Sequence, residues 1–374
     1  MKIAIDCRKL VGNKTGIGNY LESLLSKLLE IDSINKYYLL FDSLPQFKYE
    51  SDQVEIICIN KFREIFPSEQ LYNVFWLNFL VPSRLKKLSI DIFWGPNFVK
   101  PIFFPNKNSI VTIHDLAFIK NKEDHSRFHS LYLNIYLQLT LKKNLKVLTV
   151  SEYTRSDVIK EFNLSEENVR VSYCAIETRN ILPSNNLSLH LPKNYSLFVG
   201  TTEKRKNINV ILESLAYSLQ YGLETLPLVV VGAKGNGLEE TKKKIKELGI
   251  EKHVYFTGYV TNEELAYIYS NAKIFIFPSL YEGFGIPLLE AMMYEVPIIT
   301  SSVTSLPEVA DDAALYIDPQ SPQDLSRAVN RLLKNDSLQK ELIQKGKQRL
   351  SYFSWEKSAL VLLDLLREME SELK

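Results

Sequence analysis

The chain has 374 residues, 45% hydrophobic and 24% charged, a composition typical of folded proteins and a length that favours two domains over one core. Lys and Arg total 45 against 44 for Asp and Glu, which excludes a general electrostatic attraction to a polyanion, so we expect no nucleic-acid partner. Cys7, Cys58 and Cys174 lack metal-ligand spacing, so we expect reduced, buried thiols in a cytoplasmic protein.

The start of the chain and its apolar runs predict neither a signal peptide nor a membrane span. The first strand turns polar at Asp6, whereas a signal peptide would continue as an apolar run. The longest apolar segment, 71–82, is rich in aromatic residues but too short to cross a bilayer. We predict that it is a core or interface helix.

Short apolar strands alternate with amphipathic helices in the first half of the chain, which is typical of a parallel sheet with crossover helices. The clearest helix spans 18–31, where leucines recur at a spacing that puts them on one face. The predicted strands of this half cover 3–5, 37–41, 54–57, 92–94, 110–113 and 147–150.

Residues 179–194 are rich in Asn, Ser and Pro, interrupt the alternation, and predict a connection between two domains. We therefore predict an α/β protein with two Rossmann-like domains, 1–180 and 194–354. The predicted strands of the second domain cover 195–199, 227–231, 254–256, 274–277, 297–299 and 314–317.

Two helices, 323–333 and 355–374, end the predicted order of elements, and no predicted strand follows them. Ser354 can cap the last helix. Leu360, Leu363 and Leu366 give that helix an apolar face. Periodicity leaves open whether it packs back on the first domain.

The segment with the strongest chemical signal runs from Phe277 to Glu290 and reads FPSLYEGFGIPLLE. A buried strand ends at Phe277, a turn with glycines follows, and Pro287 stands where we expect the first helical residue. A helix N-terminus offers free backbone N–H groups and a partial positive charge, which suit a diphosphate. Gly283 and Gly285 let the main chain approach a ligand closely.

Two carboxylates flank this expected helix start. Glu282 lies in the turn, and we place Glu290 in the first helical turn, so they can contact different parts of one ligand. A Glu in a first turn also gains about 0.3–1 kcal/mol from the helix dipole, so a purely structural role for Glu290 stays open. That role accounts for neither Glu282 nor the two glycines.

These residues resemble the nucleotide-sugar site of retaining glycosyltransferase family 4. The resemblance implies the GT-B fold, in which two Rossmann-like domains face a central cleft, and it is closest to bacterial mannosyl- and rhamnosyl-type enzymes of surface polysaccharide synthesis. The segments that carry it are EGFGIPLLEAM (282–292), PIITSS (297–302), SLPEVADDAA (305–314), VGTTEKRKN (199–207), VVVGA (229–233), FTGYV (256–260) and IHD (113–115).

The resemblance implies roles for the two carboxylates and two cations. In the family, the counterpart of Glu290 holds the ribose hydroxyls and that of Glu282 contacts the donor sugar. Lys206 corresponds to a lysine on the diphosphate. Thr201 stands where relatives often carry an Arg, so Arg205 is the candidate second cation. Without the resemblance, the basic triplet 204–206 is read as a solvated turn.

The resemblance also extends to backbone and loop positions. Those that it assigns to the donor are Gly200, Phe284 to Ile286, including Gly285, the Gly258–Tyr259 turn near the base, and Gly16 and Gly18 in a loop before the first helix. A tight turn is the alternative for Gly16 and Gly18. His114 would lie beside the donor sugar, although a lone His is more often structural. The segment 173–177 departs from the family pattern.

The implied function is transfer of a mannose, rhamnose or glucose-type hexose, with retention, from a GDP-, UDP- or dTDP-linked donor to a glycan or lipid-linked acceptor. No Asp-X-Asp pair occurs, so we expect no divalent metal and no cofactor. Two alternatives stay open. One is a GT-B-like sugar-nucleotide epimerase, which His114 keeps open, and the other is a catalytically inactive nucleotide-binding subunit.

Peripheral contact with the inner membrane face is a further hypothesis. It rests on lipid-linked acceptors in the family and on aromatic and basic residues along one segment: Phe75, Trp76, Phe79, Arg84, Lys86 and Lys87. The stronger interpretation of this segment is a core helix followed by a solvated turn, because the near-neutral chain has little general attraction to anionic lipid.

Overall fold

The computed structural model describes residues 1–12, 16–45, 51–60, 62–120, 127–142, 144–177, 191–232 and 237–374, with only the backbone at 127–130. Most of the predicted connection at 179–194 lies outside these residues. The chain divides into two compact units. The first unit is Met1–Leu116, Phe128–Cys174 and Ser354–Lys374, and the second unit is Ala117–Arg127 and Ala175–Phe353.

The described strands of the first unit are β1 (Lys2–Asp6), β2 (Lys36–Phe41), β3 (Val54–Cys58), β4 (Ile92–Gly95), β5 (Ser109–Ile113), β6 (Lys146–Thr149) and β7 (Val169–Val171). They pair in parallel in the order β3-β2-β1-β4-β5-β6-β7. The six predicted strands are confirmed within one residue. Strand β7 was missed because it has three residues, of which only Val169 is fully buried, too short for a recognisable alternation.

The described strands of the second unit are β8 (Ser196–Val199), β9 (Leu228–Val231), β10 (Val254–Gly258), β11 (Ile274–Phe277), β12 (Ile298–Ser301) and β13 (Ala314–Ile317). They also pair in parallel, in the order β10-β9-β8-β11-β12-β13. Both sheets reverse their strand order at the first strand of the unit, as in Rossmann-like domains. The predicted α/β class with two such domains is confirmed.

The described α-helices connect and cover these strands. They are α1 (Gly16–Ile31), α2 (Glu69–Phe75), α3 (Val81–Leu88), α4 (Ala117–Lys120), α5 (Arg127–Thr140), α6 (Glu152–Phe162), α7 (Ile208–Tyr221), α8 (Leu238–Glu247), α9 (Asn262–Asn271), α10 (Ile286–Met293), α11 (Leu306–Ala310), α12 (Pro322–Leu333), α13 (Asp336–Leu350) and α14 (Trp355–Leu373).

Helix α14 belongs to the first unit, where it packs on α1. The Ser354 hydroxyl caps it by accepting a hydrogen bond from the Lys357 N–H at 3.1 Å. Leu363 and Leu366 are buried as predicted, but Leu360 is 43% exposed. The buried face is thus shifted from the predicted one, because Leu362 and Leu365 complete it.

The segment 71–82 is helical and packs in the core of the first unit, with a π-helical turn at Trp76–Leu80 between α2 and α3. Trp76 is buried, and its Nε1–H donates to the Ile59 carbonyl at 2.8 Å. The expected solvated turn is wrong, because α3 continues through Lys86 and Lys87. Phe79 is 61% exposed and stacks on Phe75. No described helix is long and apolar enough to span a membrane.

Candidate functional site

The predicted donor-site residues of the second unit lie where its parallel strands end. Gly200 follows β8, Gly258 ends β10, and the turn to α10 follows β11. The ends of β8, β9 and β10 approach closely, since a Cβ on Gly232 would lie 2.2 Å from the Gly200 carbonyl oxygen. In open parallel sheets the carboxyl ends of strands form the ligand edge. Tyr259, just beyond β10, is 88% exposed.

Lys206, Arg205 and Glu282 form one cluster at this edge, in which Glu282 is buried and the two cations are half-buried. The Nζ of Lys206 lies 2.6 Å from Oε1 of Glu282, and the Nη1 of Arg205 lies 3.4 Å from Oε2. Arg205 also pairs with Glu203 at 2.9 Å, and Lys206 lies over the Phe277 ring. The sequence alone would have allowed a solvated turn, but here only Lys204 of the triplet is exposed.

The charge of Glu282 follows from these contacts. Burial acts to raise its pKa, but the positive charges of Lys206 and Arg205 and the hydrogen bond from Lys206 outweigh burial, so the pKa is lowered. Glu282 is therefore an ionised carboxylate at neutral pH. It can accept hydrogen bonds from sugar hydroxyls and interact with positive charge, but it is poorly suited to donate a proton.

Hydrogen bonds with the loop after β12 hold the turn that carries Glu282. The hydroxyl of Ser305 donates to the carbonyls of Glu282 at 2.9 Å and Phe284 at 3.0 Å. The Glu282 N–H donates to the Thr304 hydroxyl at 3.3 Å. The side chain of Phe284 is buried against Phe353. These contacts fix the backbone from 282 to 285 and orient the Glu282 side chain.

Gly285 sets the start of α10. Its φ of +105° is in the left-handed region that favours glycine, and a Cβ there would lie 2.9 Å from Leu306. The helix consequently begins at Ile286, one residue earlier than predicted, with Pro287 as its second residue. Glu290 is therefore in the second turn, and the first-turn placement is wrong. The helix-dipole explanation for Glu290 weakens accordingly, because that effect fades beyond the first turn.

Glu290 is positioned by α9. The hydroxyl of Tyr269 donates to Oε2 of Glu290 at 2.8 Å. Burial raises the pKa of Glu290, and the Tyr269 hydrogen bond partly offsets that rise. Glu282 and Glu290 thus sit on one turn-helix segment with pKa values displaced in opposite directions, which fits separate roles.

The remaining predicted site residues, Gly16, Gly18 and His114, lie in the first unit. The expected glycine loop is wrong, because Gly16 and Gly18 form the first turn of α1. Residues 13–15, which precede it, lie outside the described residues. The His114 ring is edge-on to Tyr20, and its Nε2 lies 2.8 Å from the Pro96 carbonyl, so Nε2 carries the hydrogen. Burial lowers the pKa of His114 and favours the neutral ring.

Sequence reasoning missed Tyr269, Thr304, Ser305 and Asn207. Ser305 was within the SLPE segment of the family resemblance, which was the available signal. Asn207 joins three loops, because its amide donates to the carbonyls of Pro278 at 3.0 Å and Pro319 at 2.7 Å. Nothing in the sequence distinguishes Tyr269 from an ordinary core aromatic.

A second candidate site is a cavity of about 560 Å³ in the first unit. It lies at the carboxyl ends of β1, β2 and β4, and its polar lining includes Asp6, Arg8, Asp42, Asn73 and Asn97. Acidic and basic side chains balance in this lining, which suits an uncharged polar ligand. Among the described residues, no cluster of three His, Cys, Asp or Glu side chains could hold a metal ion.

Comparisons with known proteins identify the family of the chain. The chain matches the family models "Glycosyltransferase Family 4" over residues 16–180 and "Glycosyl transferases group 1" over residues 184–349. It is 30% identical to O-antigen chain mannosyltransferase B of Escherichia coli, covering 95% of this chain and 97% of that protein.

Solved structures share the fold. Sucrose-phosphate synthase from Thermosynechococcus elongatus has a TM-score of 0.77 at 19% identity, covering 99% of both chains. Anabaena HepE in complex with UDP-glucose has a TM-score of 0.70 at 15% identity, covering 98% of this chain and 100% of that chain.

Proposed function

The chain belongs to the glycosyltransferases that combine a family 4 domain with a group 1 domain. From this premise we propose that it transfers mannose from a nucleoside-diphosphate sugar to a glycan acceptor. The mannosyl choice rests on the E. coli relative; rhamnose and glucose remain the other candidates. The observation that carries the donor proposal is the Lys206–Glu282–Arg205 cluster beside the start of α10.

In this proposal the diphosphate lies at the N-terminus of α10, near Lys206 and Arg205. The residue before α10, Gly285, provides no side-chain cap, and the backbone N–H groups and dipole of this helix end favour an anion. Glu282 contacts the donor sugar, and Glu290 accepts hydrogen bonds from the ribose hydroxyls. The protein stabilises the departing diphosphate electrostatically while an acceptor hydroxyl attacks the same face of the sugar, which retains the anomeric configuration.

The acceptor part of the proposal places a saccharide in the first-unit cavity. Asp42 is buried at its wall, where the Ser43 hydroxyl donates to it at 3.3 Å and the Arg63 guanidinium lies 3.8 Å away. A carboxylate held so loosely can accept hydrogen bonds from sugar hydroxyls. The membrane contact stays a proposal without Trp76, which is buried; the residues that carry it are Phe75, Phe79, Arg84, Lys86 and Lys87.

The test is a transfer assay with GDP-, UDP- and dTDP-linked hexoses, scored for sugar transfer and for release of the nucleoside diphosphate. We expect turnover with one base, and a product with the anomeric configuration of the donor. An altered sugar still attached to its nucleotide would support the epimerase, and binding without turnover would support an inactive subunit. Either result would overturn the proposal.

A further inference from the structure

The contact between Tyr269 and Glu290 has no part in the site as the family resemblance outlines it. Tyr269 lies in the last turn of α9, its side chain is fully buried, and its hydroxyl donates to Oε2 of Glu290 at 2.8 Å. Among the described residues, Tyr269 is the hydrogen-bond partner of the Glu290 carboxylate. Oε1 therefore remains available on the same carboxylate.

The hydroxyl of Tyr269 is fixed by packing on its ring. Tyr294 stacks on it with centroids 5.5 Å apart and planes 12° apart, and Phe275 of β11 packs against it at 5.6 Å. Burial and the nearby Glu290 raise the pKa of Tyr269 well above its ordinary value. The group therefore remains a protonated donor, held in one position.

The charge on Glu290 depends on this donor. Burial favours the neutral carboxyl, and the hydrogen bond from Tyr269 is the contribution that favours the carboxylate. Tyr294 is ionisable only at alkaline pH, since burial raises its pKa. The contributions to the pKa of Glu290 are burial and the Tyr269 hydrogen bond. Charged side chains on the neighbouring elements include Glu263 and Glu264 at the start of α9, Glu308 in α11, and Lys345, Lys347 and Arg349 of α13, which pair with acidic residues.

We propose that Tyr269 is a positioning residue of the donor site, whose hydroxyl orients the Glu290 carboxylate and keeps it an acceptor for the ribose hydroxyls. This inference rests on the proposed contact between Glu290 and ribose. A carboxylate that accepts two ribose O–H groups must be unprotonated and correctly turned. Tyr269 meets both needs without touching the nucleotide.

The proposal predicts a pH-dependent loss in Tyr269→Phe. Removing the hydroxyl keeps the ring packing but raises the pKa of Glu290 further, so the carboxylate is protonated at a higher pH than in the wild type. As pH falls, nucleotide affinity should fall in both proteins, and earlier in the variant. At the acidic end the difference should reach about tenfold or more, the loss expected for one hydrogen bond to a charged group.

The experiment titrates GDP, UDP, ADP and dTDP into the full-length protein by calorimetry between about pH 5 and pH 8. Tyr294→Phe is the matched control, because it removes a hydroxyl from the same aromatic stack that makes no hydrogen bond to Glu290 among the described residues. Its affinity profile should follow the wild type. Glu290→Gln should bind the nucleotide more weakly and without this pH dependence. The double variant Glu290→Gln, Tyr269→Phe should not regain the pH dependence.

The outcomes separate the two levels of the argument. No binding of any of the four nucleotides to the wild type would overturn the proposed function and this inference together. Unchanged nucleotide affinity in Glu290→Ala would overturn the contact between Glu290 and ribose, and the inference with it. If Glu290→Ala weakens binding while Tyr269→Phe behaves as the wild type, the inference alone is wrong. A pH-independent loss of equal size in both Tyr269→Phe and Tyr294→Phe would also overturn it, because disturbed packing of the aromatic stack would then be the cause.

Discussion

At the scale of single residues, the candidate site balances its own charges. Lys206 and Arg205 face Glu282, and Arg205 also faces Glu203, so two cations and two carboxylates form one cluster. A diphosphate that binds Lys206 must compete with Glu282 for the same ammonium. Because a buried charge that loses its partner is costly, changes to these residues will not act independently.

Glu282→Ala should separate binding from transfer. Removing this carboxylate frees Lys206 and Arg205 for the diphosphate, so the affinity for the bare nucleoside diphosphate should be retained or increased. Transfer should fall by about a hundredfold or more, because the sugar loses its contact. Calorimetry and initial rates measure the two effects. A parallel loss of both would contradict the assignment of Glu282 to the sugar.

Lys206→Ala should reduce transfer by about a hundredfold or more, since a cation on the leaving diphosphate acts mainly in the transition state. Lys204→Ala is the matched control, because Lys204 is the exposed member of the same turn, and it should transfer at the wild-type rate. Initial rates at saturating donor, with thermal unfolding to verify folding, make the comparison. Similar rates for the two variants would remove Lys206 from the mechanism.

At the scale of elements, the local sequence predicted the strands well and the details of the site poorly. Strands β9 and β11 are continuous apolar runs buried on both faces, a pattern that needs no tertiary information. The first residue of α10 depends on the positive φ of Gly285, which cannot be predicted from a residue pattern. Tyr269 and Ser305 acquire their roles from neighbours 21 or more positions away in the chain, so only the fold reveals them.

Helix α14 offers a direct stability test of the first unit. Leu366→Ala should lower its free energy of unfolding by about 2–5 kcal/mol, because Leu366 is buried and its removal leaves a cavity. Leu360→Ala should change that free energy by less than about 0.5 kcal/mol, because Leu360 is exposed. Denaturant unfolding of both variants measures the difference. Equal effects would contradict the observed orientation of the helix.

At the scale of the whole molecule, we expect catalysis without a divalent metal. The sequence has no Asp-X-Asp pair, and the proposed diphosphate site has its own positive groups in Lys206, Arg205 and the end of α10. Transfer should therefore continue at an unchanged rate in EDTA. The assay is the initial rate with and without chelator, followed by addition of Mg²⁺ or Mn²⁺. Loss of turnover in EDTA with recovery on Mn²⁺ would refute this account of the leaving group.

The place of α14 in the first unit has a consequence for biosynthesis. Its buried face and its ion pair from Lys146 to Glu368 complete a unit whose other parts lie before residue 175. The ribosome adds about 5–20 residues per second, so the first unit waits on the order of ten seconds or more for its last helix. The second unit, translated in that interval, can reach its native state first. Until Ser354–Lys374 emerges, the surface of α1 that α14 covers is open to chaperones and to aggregation.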